Sequence, residues 1–365
     1  MLDVRLRQPG PISLDVTLQC APDELLALVG PSGSGKTSVL RAIAGLMRVV
    51  QGRVSLDQEV WFDAAGGIHE PAERRPVGMV FQQYALFPHL SALENVRLAV
   101  PRRHGGPAST EIAHKLLQDM KLGALAARRP HELSGGERQR VALGRALARN
   151  PKVLLLDEAF SAVDQPTRHM LYDELIRLRE RLSLPIIMVT HDLREARLLA
   201  DRMCILERGT TLQDGPPEQV MARPRNARVA ALVGLRDIHT GVFLREHGAR
   251  LRWGNGPDAI QLHTVDKGRL AHGAPVRWVI SGEHVQIHIG PPEQAAAPVN
   301  LVRCELMRLN RLGEFVTLVF QVATSPVALL HLDITTRQAT QMGLAVGQAV
   351  FLQLDPGGIH IMPVR

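Results

Sequence analysis

The sequence predicts an α/β domain with a mostly parallel sheet, followed by an all-β region. Up to about residue 235, short runs of Val, Leu and Ile alternate with longer segments in which apolar residues recur every three or four positions. After Gly234, apolar and polar residues alternate in short segments that turn residues separate. This change of pattern predicts a domain boundary near residue 235.

The first region contains five apolar runs and four periodic segments. The apolar runs predict buried strands at residues 25–29, 77–81, 153–156, 186–189 and 203–206. The periodic segments predict helices at residues 35–45, 136–149, 166–182 and 193–200. Since helical segments follow several of the strands, we expect parallel strand pairing.

The second region predicts small barrels. Its alternating segments predict strands at residues 276–280, 285–289, 315–322, 328–332 and 349–354. The tract 290–298, rich in Pro and Ala, is typical of a linker. Each remaining piece, 236–290 and 299–365, is too small for a sandwich but suits a five-stranded barrel. The region resembles small barrels of the oligonucleotide-binding (OB) type.

The composition is that of a globular protein. The chain has 365 residues, of which 45% are hydrophobic and 22% charged, so it forms one large domain or two ordinary ones. Its longest apolar runs fall far below the roughly 18 residues that a membrane-spanning helix needs. The first residues lack the pattern of an export signal. We therefore expect a cytosolic chain that does not cross a bilayer by itself.

Charge and cysteine content exclude two further classes. The net charge is +7, but only five of the 43 basic residues are lysine and the excess is spread along the chain, so no nucleic-acid partner is expected. Three cysteines lie far apart and mostly within apolar runs, at positions 20, 204 and 304. They predict buried free thiols rather than a disulfide framework.

A glycine-rich loop follows the predicted strand at residues 25–29. The segment from Gly30 to Thr37 matches the phosphate-binding pattern and opens a helix, as the mechanism requires. Glycines let the backbone N–H groups face a phosphate, and the helix N-terminus adds partial positive charge. We expect Lys36 to reach the β- and γ-phosphates and the Thr37 hydroxyl to bind Mg²⁺.

Two carboxylates end another predicted strand. Asp157 and Glu158 follow the apolar run at residues 153–156, which places them beside the phosphate loop at the carboxyl edge of the sheet. Asp157 is expected in the Mg²⁺ shell, and Glu158 is placed to accept the proton of an attacking water. Alone, this pattern equally fits a strand that ends in solvated acids.

A third segment is a capping box. Ser134 is the predicted helix N-cap and Glu137 stands three residues later. Gly135 and Gly136 leave the N–H groups at the helix start uncovered, so an anion can approach closely. An ordinary capped helix is the alternative interpretation.

Together these segments resemble the nucleotide-binding subunit of an ATP-binding cassette (ABC) transporter, over about residues 1–230. The motifs that carry the resemblance stand in the family's order and spacing at residues 30–37, 133–140, 153–158, 161–164 and 189–192. The resemblance implies an α/β P-loop nucleoside-triphosphatase fold of the ABC type with a helical subdomain at about residues 84–150. It also implies ATP and Mg²⁺ as ligands.

The resemblance further implies the roles of individual residues. The ATP-binding residues would be Gly30, Pro31, Ser32, Gly33, Ser34, Gly35, Lys36, Thr37 and Ser38. The catalytic residues would be Glu158, His191 and Gln82, and the Mg²⁺ ligands Thr37, Gln82 and Asp157. Contacts to the ATP of a second copy in a head-to-tail homodimer would come from Ser134, Gly135, Gly136 and Asp164. By itself, His191 would more often be a core histidine, but its place between a buried strand and Asp192 favours the switch role.

The resemblance also implies a membrane partner. The string Leu-Phe-Pro-His at residues 86–89 is common in bacterial importers, whose helical subdomain receives a coupling helix from a permease. Exposed apolar residues suit such a groove, although Phe87 and Leu90 fit a plain core equally well. The implied location is the cytoplasmic face of the bacterial inner membrane, with a periplasmic binding protein as an indirect partner.

The sequence departs from the family pattern at three points. Residues 1–25 contain no aromatic side chain to stack on adenine, so an apolar or Arg contact from residues 5–12 is expected instead. Ala159 stands where proline often follows the catalytic glutamate, and Val163 stands where leucine is usual. Both changes are small and should leave activity intact.

The transported solute is predicted from accessory features. The final part, at about residues 300–364, has the length of the oxyanion-binding module of molybdate proteins, and a Gly-Ile insertion at residues 67–68 resembles the molybdate-importer ATPases. Molybdate or tungstate is therefore the first expectation, with sulfate, ferric iron and polyamine as competitors. No compact Ser, Lys or Arg nest stands out in residues 299–365, so a spacer that binds no ligand fits the tail equally well.

Two rival functions were weighed against an importer ATPase. A soluble ABC ATPase acting on DNA or ribosomes usually carries long coiled coils, two fused cassettes or a basic insertion, and the sequence shows none. A small-molecule kinase shares the phosphate loop but does not explain residues 133–140.

Overall fold

The computed structural model describes residues 1–101, 106–161, 163–245, 248–254, 256–265, 268, 270–291 and 299–364, the side chains of 325–327 excepted. The chain forms two compact units, Met1–Glu218 and Gln219–Arg365. The predicted boundary near residue 235 therefore falls inside the second unit. The predicted linker at 290–298 lies mostly outside the described residues.

The first unit combines one large sheet with helices. Its strands are β1 (Leu2–Gln8), β2 (Leu14–Cys20), β3 (Leu25–Val29), β4 (Gln51–Leu56), β5 (Glu59–Asp63), β6 (Ile68–His69), β7 (Val77–Val80), β8 (Val153–Asp157), β9 (Ile186–Thr190), β10 (Arg202–Glu207) and β11 (Thr210–Gly215). Its helices are α1 (Lys36–Ile43), α2 (Ala92–Arg97), α3 (Pro107–Asp119), α4 (Gly135–Leu147), α5 (Gln165–Arg179) and α6 (Leu193–Leu199). Two 3₁₀ turns lie at Gly123–Leu125 and Pro130–Glu132. Helices α2, α3 and α4 all lie within residues 84–150.

The sheet has a parallel core. Its strand order is β6-β5-β4-β1-β2-β11-β10-β3-β9-β8-β7, and the five strands from β10 to β7 are parallel neighbours. Every residue of β3, β8 and β9 is buried, as expected for central parallel strands covered on both faces. The predicted strands of the first region are these five, so the parallel α/β fold is confirmed.

The remaining strands extend the sheet in an antiparallel manner. Strands β2, β1, β4, β5 and β6 pair antiparallel with one another in that order, whereas β11 pairs antiparallel with β10 and parallel with β2. Buried residues alternate with exposed or partly exposed ones along β1 and β2. Such alternation is typical of strands with one face on the core. The apolar runs of the sequence did not predict this extension.

The second unit is built from two five-stranded sheets. Helix α7 (Pro217–Ala222) spans the unit boundary, and α8 (Ala227–Leu232) and α9 (Thr336–Gln341) follow, with a 3₁₀ turn at Gly282–His284. Its strands are β12 (His239–Leu244), β13 (Arg250–Trp253), β14 (Ile260–His263), β15 (Pro275–Ile280), β16 (Val285–His288), β17 (Leu301–Leu312), β18 (Phe315–Val322), β19 (Ser325–Thr335), β20 (Ala349–Leu354) and β21 (Ile359–Pro363). The sheet orders are β14-β13-β12-β15-β21 and β16-β20-β17-β18-β19. All five strands predicted in this region are present.

The two sheets exchange strands and share one core. The last strand, β21, pairs with β15, and the earlier strand β16 pairs with β20. The predicted pieces 236–290 and 299–365 therefore each supply a strand to the other's sheet. A continuous cluster of buried side chains, including Phe243, Trp278, Phe320 and Leu352, lies in both sheets. Small sheets bury too little apolar area alone, so a shared core stabilises both.

The described residues also confirm the expectation for the cysteines. Cys20, Cys204 and Cys304 are buried free thiols, and burial raises the pKa of each to about 12. In the described part of the chain, no helix has both the length and the apolar character that crossing a membrane requires.

Candidate functional site

The phosphate-binding pattern lies between β3 and α1. Gly33 and Gly35 have φ of +78° and +95°, in the left-handed region that glycine adopts without steric cost. A Cβ on Gly30 would stand 2.0 Å from the carbonyl oxygen of Leu206, so only glycine fits beside β10. The hydroxyl of Ser34 is buried and has no hydrogen-bond partner among the described residues. This loop therefore has the shape and a free donor for an anion.

Lys36 begins α1 and reaches across the loop. Its Nζ donates hydrogen bonds to the carbonyl oxygens of Gly30 at 2.8 Å and Pro31 at 2.9 Å. The residue is only 5% exposed. Burial lowers the pKa of the Lys36 ammonium, while the nearby carboxylates of Glu158 and Asp157 act in the opposite direction. A buried cation therefore lies in the loop, where it is available to a phosphate group.

Thr37 and Asp157 connect the loop to the end of β8. Thr37 Oγ1 donates a 2.8 Å hydrogen bond to Asp157 Oδ1. Burial raises the pKa of Asp157, and the hydrogen bond from Thr37 partly offsets that rise. A hydroxyl and a carboxylate oxygen side by side are the hard donors that Mg²⁺ prefers, so the donor set fits that ion.

The segments that follow β7, β8 and β9 come together at Glu158. Gln82, which follows β7, donates from Nε2 to Glu158 Oε2 at 3.0 Å, and His191 Nδ1, after β9, lies 3.4 Å from the same oxygen. Parallel neighbours carry their carboxyl ends to one edge, which explains the convergence. The structure therefore brings together the three residues predicted to be catalytic.

A cavity of about 570 Å³ opens at this point. It is lined by Ile12, Ser32, Gly33, Ser34, Gly35, Lys36, Thr37, Ser38, Gln82, Glu158 and His191. Ile12 comes from the segment between β1 and β2 and belongs to residues 5–12, from which an apolar or Arg contact is expected in place of the missing aromatic residue. Of the predicted ATP-binding residues, Gly30 and Pro31 do not line the cavity.

Ser134, Gly135 and Gly136 lie away from this cavity, at the N-terminus of α4. The capping box is present, since Ser134 Oγ accepts from Glu137 N at 3.3 Å and Glu137 accepts from Ser134 N at 2.7 Å. That second hydrogen bond lowers the pKa of Glu137. Ser134 is exposed at the tip, so the helix end is open to a ligand held outside this chain.

Asp164 and Gly136 both lie against Thr167, a residue that the sequence did not mark as functional. Asp164 caps α5, accepting from Thr167 N at 3.0 Å and from Thr167 Oγ1 at 2.9 Å. These bonds lower the pKa of Asp164. A Cβ on Gly136 would lie 2.4 Å from Thr167 Cγ2. Gly136 is therefore also required for close packing of α4 on α5.

Three more buried polar residues were missed. Tyr172, Thr190 and Glu195 are joined by hydrogen bonds behind His191. They come from α5, β9 and α6, so no local pattern in the sequence connects them. The sequence offered one signal for them: Thr190 directly precedes His191, and Glu195 follows it by four residues.

A second and larger cavity, of about 1270 Å³, lies on the helical side of the sheet. Its lining includes Leu46, Phe87 and Leu98, which are 52%, 41% and 62% exposed. Arg145 donates to the carbonyl oxygens of Ala85 at 2.7 Å and Tyr84 at 2.8 Å. Phe87 thus lines an open apolar groove, whereas Leu90 does not line it.

The fold and the phosphate loop define a P-loop nucleotide-binding protein. Comparison with known proteins goes further. A family profile described as "ABC transporter" matches residues 14–161. A molybdenum import ATP-binding protein, ModC 2 of Bradyrhizobium diazoefficiens, is 36% identical over 94% of this chain and 38% of its own length. The spermidine/putrescine import ATP-binding protein PotA of Escherichia coli is 43% identical over 60% of this chain and 57% of its own length.

The similar solved structures are also ATP-binding cassettes. The dimeric ATP-binding cassette MJ0796 bound to ADP and phosphate is 30% identical, covers 60% of this chain and 99% of its own, and has a TM-score of 0.50. A second dimeric MJ0796 structure, described as a bacterial ABC transporter cassette, has a TM-score of 0.51. The chain belongs to the ATP-binding cassette family of ABC transporters. It spans 38% and 57% of the length of the two curated relatives.

Proposed function

We propose that this chain is the ATP-hydrolysing subunit of a bacterial ABC importer. The observation that carries the proposal is the convergence of Gln82 and His191 on one oxygen of Glu158, at the mouth of the cavity that holds the phosphate loop. A carboxylate so placed is a general base aimed at the space where the γ-phosphate would lie.

The reaction is hydrolysis of ATP to ADP and phosphate. The oxygen of a water molecule attacks the γ-phosphorus, the bond to the β–γ bridging oxygen breaks, and Glu158 accepts the proton of the water. Gln82 orients the water and holds Glu158. Lys36 and His191 stabilise the negative charge on the γ-phosphate oxygens.

Mg²⁺ would be held by Thr37 and Asp157, with Gln82 completing the set. When bound, it neutralises charge on the β- and γ-phosphates. The 2.8 Å contact between the Thr37 hydroxyl and the Asp157 carboxylate supports this assignment.

A homodimer would complete the site. Ser134, Gly135 and Gly136 lie away from this chain's own cavity, at a helix start whose exposed first residue, Ser134, suits the γ-phosphate of a second copy. The two MJ0796 relatives are described as dimers. We propose a head-to-tail pair in which Asp164 also lies near the partner's ATP.

The apolar groove lined by Leu46, Phe87 and Leu98 would receive a permease segment. Exposed apolar side chains of this number in one concave surface mark an interaction site. Attached there, the chain would lie peripherally on the cytoplasmic face of the inner membrane, supplied with solute by a periplasmic binding protein.

The first choice of solute is molybdate or tungstate, supported by 36% identity to a molybdenum import protein over 94% of this chain. Polyamine is the competing solute, because the polyamine relative is 43% identical over 60% of the chain. Deletion of the gene should abolish molybdoenzyme activity at scarce molybdate and leave spermidine uptake unchanged. Loss of spermidine uptake alone would replace the first choice with the second.

ATPase activity of the purified chain with Glu158→Gln tests the catalytic part. Turnover should fall about 100-fold or more, because the base is removed while the shape is kept. The variant should also form a dimer of twice the mass in size exclusion with ATP. Glu111→Gln, an exposed carboxylate on α3, is the control and should match the unmodified chain. Wild-type turnover by Glu158→Gln would refute the assignment.

A further inference from the structure

A buried carboxylate lies directly behind His191. Glu195, in the first turn of α6, is only 4% exposed, and its carboxylate oxygens accept hydrogen bonds from Tyr172 Oη at 2.8 Å and from Thr190 Oγ1. Thr190 and Tyr172 are themselves 2% and 5% exposed. Among the described residues no ion pair involves Glu195, so two hydroxyl donors satisfy it rather than a cation. Burying a carboxylate in this way is costly unless the bonds do something that an apolar core would not.

The hydrogen bonds fix the backbone around His191. Thr190 Oγ1 donates to Glu195 and accepts from the backbone N–H of Asp192 at 2.9 Å. Thr190 and Asp192 flank His191, so this bond sets the turn from which the His191 ring reaches Glu158. The Val189 carbonyl, just before this turn, accepts from Glu158 N at 3.0 Å.

The same network connects His191 with the helix that carries Asp164. Tyr172 lies on α5, whose N-cap is Asp164, and its ring packs edge-on against Phe160 at 5.2 Å. Arg168, also on α5, donates to the Val163 carbonyl at 3.0 Å and lies 3.8 Å from Asp192 Oδ2. Helix α5 therefore contacts Asp192 directly and Thr190 through Glu195, the two residues that flank His191.

A small polar cavity of about 50 Å³ shows that the network borders the reacting groups. It is lined by Glu158, Ser161, Arg168, Thr190, His191, Asp192 and Glu195. A shift of the Thr190 hydroxyl or of Glu195 thus moves atoms that face Glu158 and His191.

We propose that Thr190 and Glu195, held by Tyr172, are positioning residues that keep His191 aligned with Glu158 and transmit the position of α5 to it. This rests on the proposed ATPase function. The three residues touch no substrate and act through His191. Their loss should therefore slow turnover without weakening ATP binding.

The test compares Thr190→Val with Thr190→Ser. Valine keeps the shape but cannot accept from Asp192 N or donate to Glu195, whereas serine keeps the hydroxyl. ATPase kcat should fall between about ten- and a hundredfold in Thr190→Val, since small misalignments of reacting groups cost rates of this size. KM for ATP should change less than about twofold, and Thr190→Ser should restore most of kcat.

Tyr172→Phe gives a second, milder measurement. It removes one hydrogen-bond donor to Glu195 and keeps the ring packing, so kcat should fall, but by less than in Thr190→Val. The double variant Thr190→Val with His191→Ala should lower kcat no more than His191→Ala does alone, because Thr190 acts through the His191 ring. Thermal unfolding of each variant controls for a loss of folding.

The outcomes separate this inference from the proposed function. If the unmodified chain hydrolyses ATP and folded Thr190→Val does so at the same rate, the positioning role is refuted and the ATPase function stands. If Thr190→Val raises KM and leaves kcat unchanged, the residue acts on binding and the inference is also wrong. If the unmodified chain fails to hydrolyse ATP, the proposed function itself is refuted.

Discussion

Thr37 Oγ1 donates a 2.8 Å hydrogen bond to Asp157 Oδ1, and so joins the phosphate loop to the end of β8, 120 residues away in the sequence. The pair supplies two of the oxygen atoms that we propose as ligands of Mg²⁺. It also explains why burial does not raise the pKa of Asp157 further, since the hydroxyl stabilises the charged form.

The first prediction concerns this pair. Thr37→Val should raise the Mg²⁺ concentration for half-maximal ATPase activity by about tenfold or more, because one oxygen ligand is lost. Thr37→Ser keeps the hydroxyl and should behave as the unmodified chain. A Mg²⁺ titration of ATPase activity measures both. Equal midpoints for Val and Ser would remove Thr37 from the metal site.

The second prediction concerns Ile12. Its apolar side chain is 43% exposed at the mouth of the cavity, where the sequence has no aromatic residue. Ile12→Ala should raise KM for ATP about fivefold, since an apolar contact with adenine is lost. Ile68→Ala, an apolar residue that is 40% exposed on β6, should have no effect. Unchanged KM in Ile12→Ala would mean that adenine is held elsewhere.

The third prediction separates two glycines on one helix. A Cβ at Gly136 would meet Thr167 Cγ2 at 2.4 Å, whereas a Cβ at Gly144 has ordinary contacts of 3.7 Å or more. Gly136→Ala should lower the free energy of unfolding by about 1–3 kcal/mol. Gly144→Ala should be neutral or stabilise by up to about 1 kcal/mol, because alanine favours a helix. Denaturant unfolding measures both changes.

A second substitution checks the cause. Thr167→Ser removes the clashing methyl group and keeps the hydroxyl that bonds to Asp164. The double variant Gly136→Ala with Thr167→Ser should therefore recover the lost stability. If it does not, the packing explanation is wrong.

The fourth prediction concerns pH and the second unit. His239 packs against Trp253 and Trp278, at ring distances of 4.8 and 4.7 Å, and burial lowers its pKa from 6.5 to about 4 despite the opposing effect of Asp237. His331 adds to the lowering. Well above pH 6.5 the ring is neutral in both the folded and the unfolded chain, so His239 then costs no stability. As pH falls from 6.5 to 4, the unfolded chain binds the proton first, and up to about 3 kcal/mol is lost.

Unfolding of the full chain, followed by tryptophan fluorescence at pH 7.5 and pH 5, measures this loss. His239→Gln should flatten the pH dependence, because a neutral side chain then occupies the site at both pH values. His263→Gln, an exposed histidine on β14, is the control and should leave the dependence intact. An unchanged pH dependence in His239→Gln would show that another group titrates.

Much of the first unit followed from the sequence because its signals are local. The apolar runs that became β3, β8 and β9 are buried along their whole length, and each leads directly into a loop that carries Lys36, Glu158 or His191. Parallel pairing then places those loops at one edge. Strands β4, β5 and β11 were missed because they are only partly buried and carry no continuous apolar run.

What the sequence determined by itself is the identity and the order of the chemical groups: the phosphate loop, the strand-end carboxylates, the capping box at Ser134 and the histidine after β9. Only the tertiary structure decided which groups touch. Gln82 and His191 contact one oxygen of Glu158, and Glu195 accepts hydrogen bonds from Thr190 and Tyr172. Gly136 packs against Thr167, and β16 and β21 each pair in the sheet of the other piece. The physical reason is the sequence separation over which each interaction acts. Caps, turns and apolar periodicity act within a few residues, whereas these contacts join elements far apart in the chain, and packing of the whole core selects them.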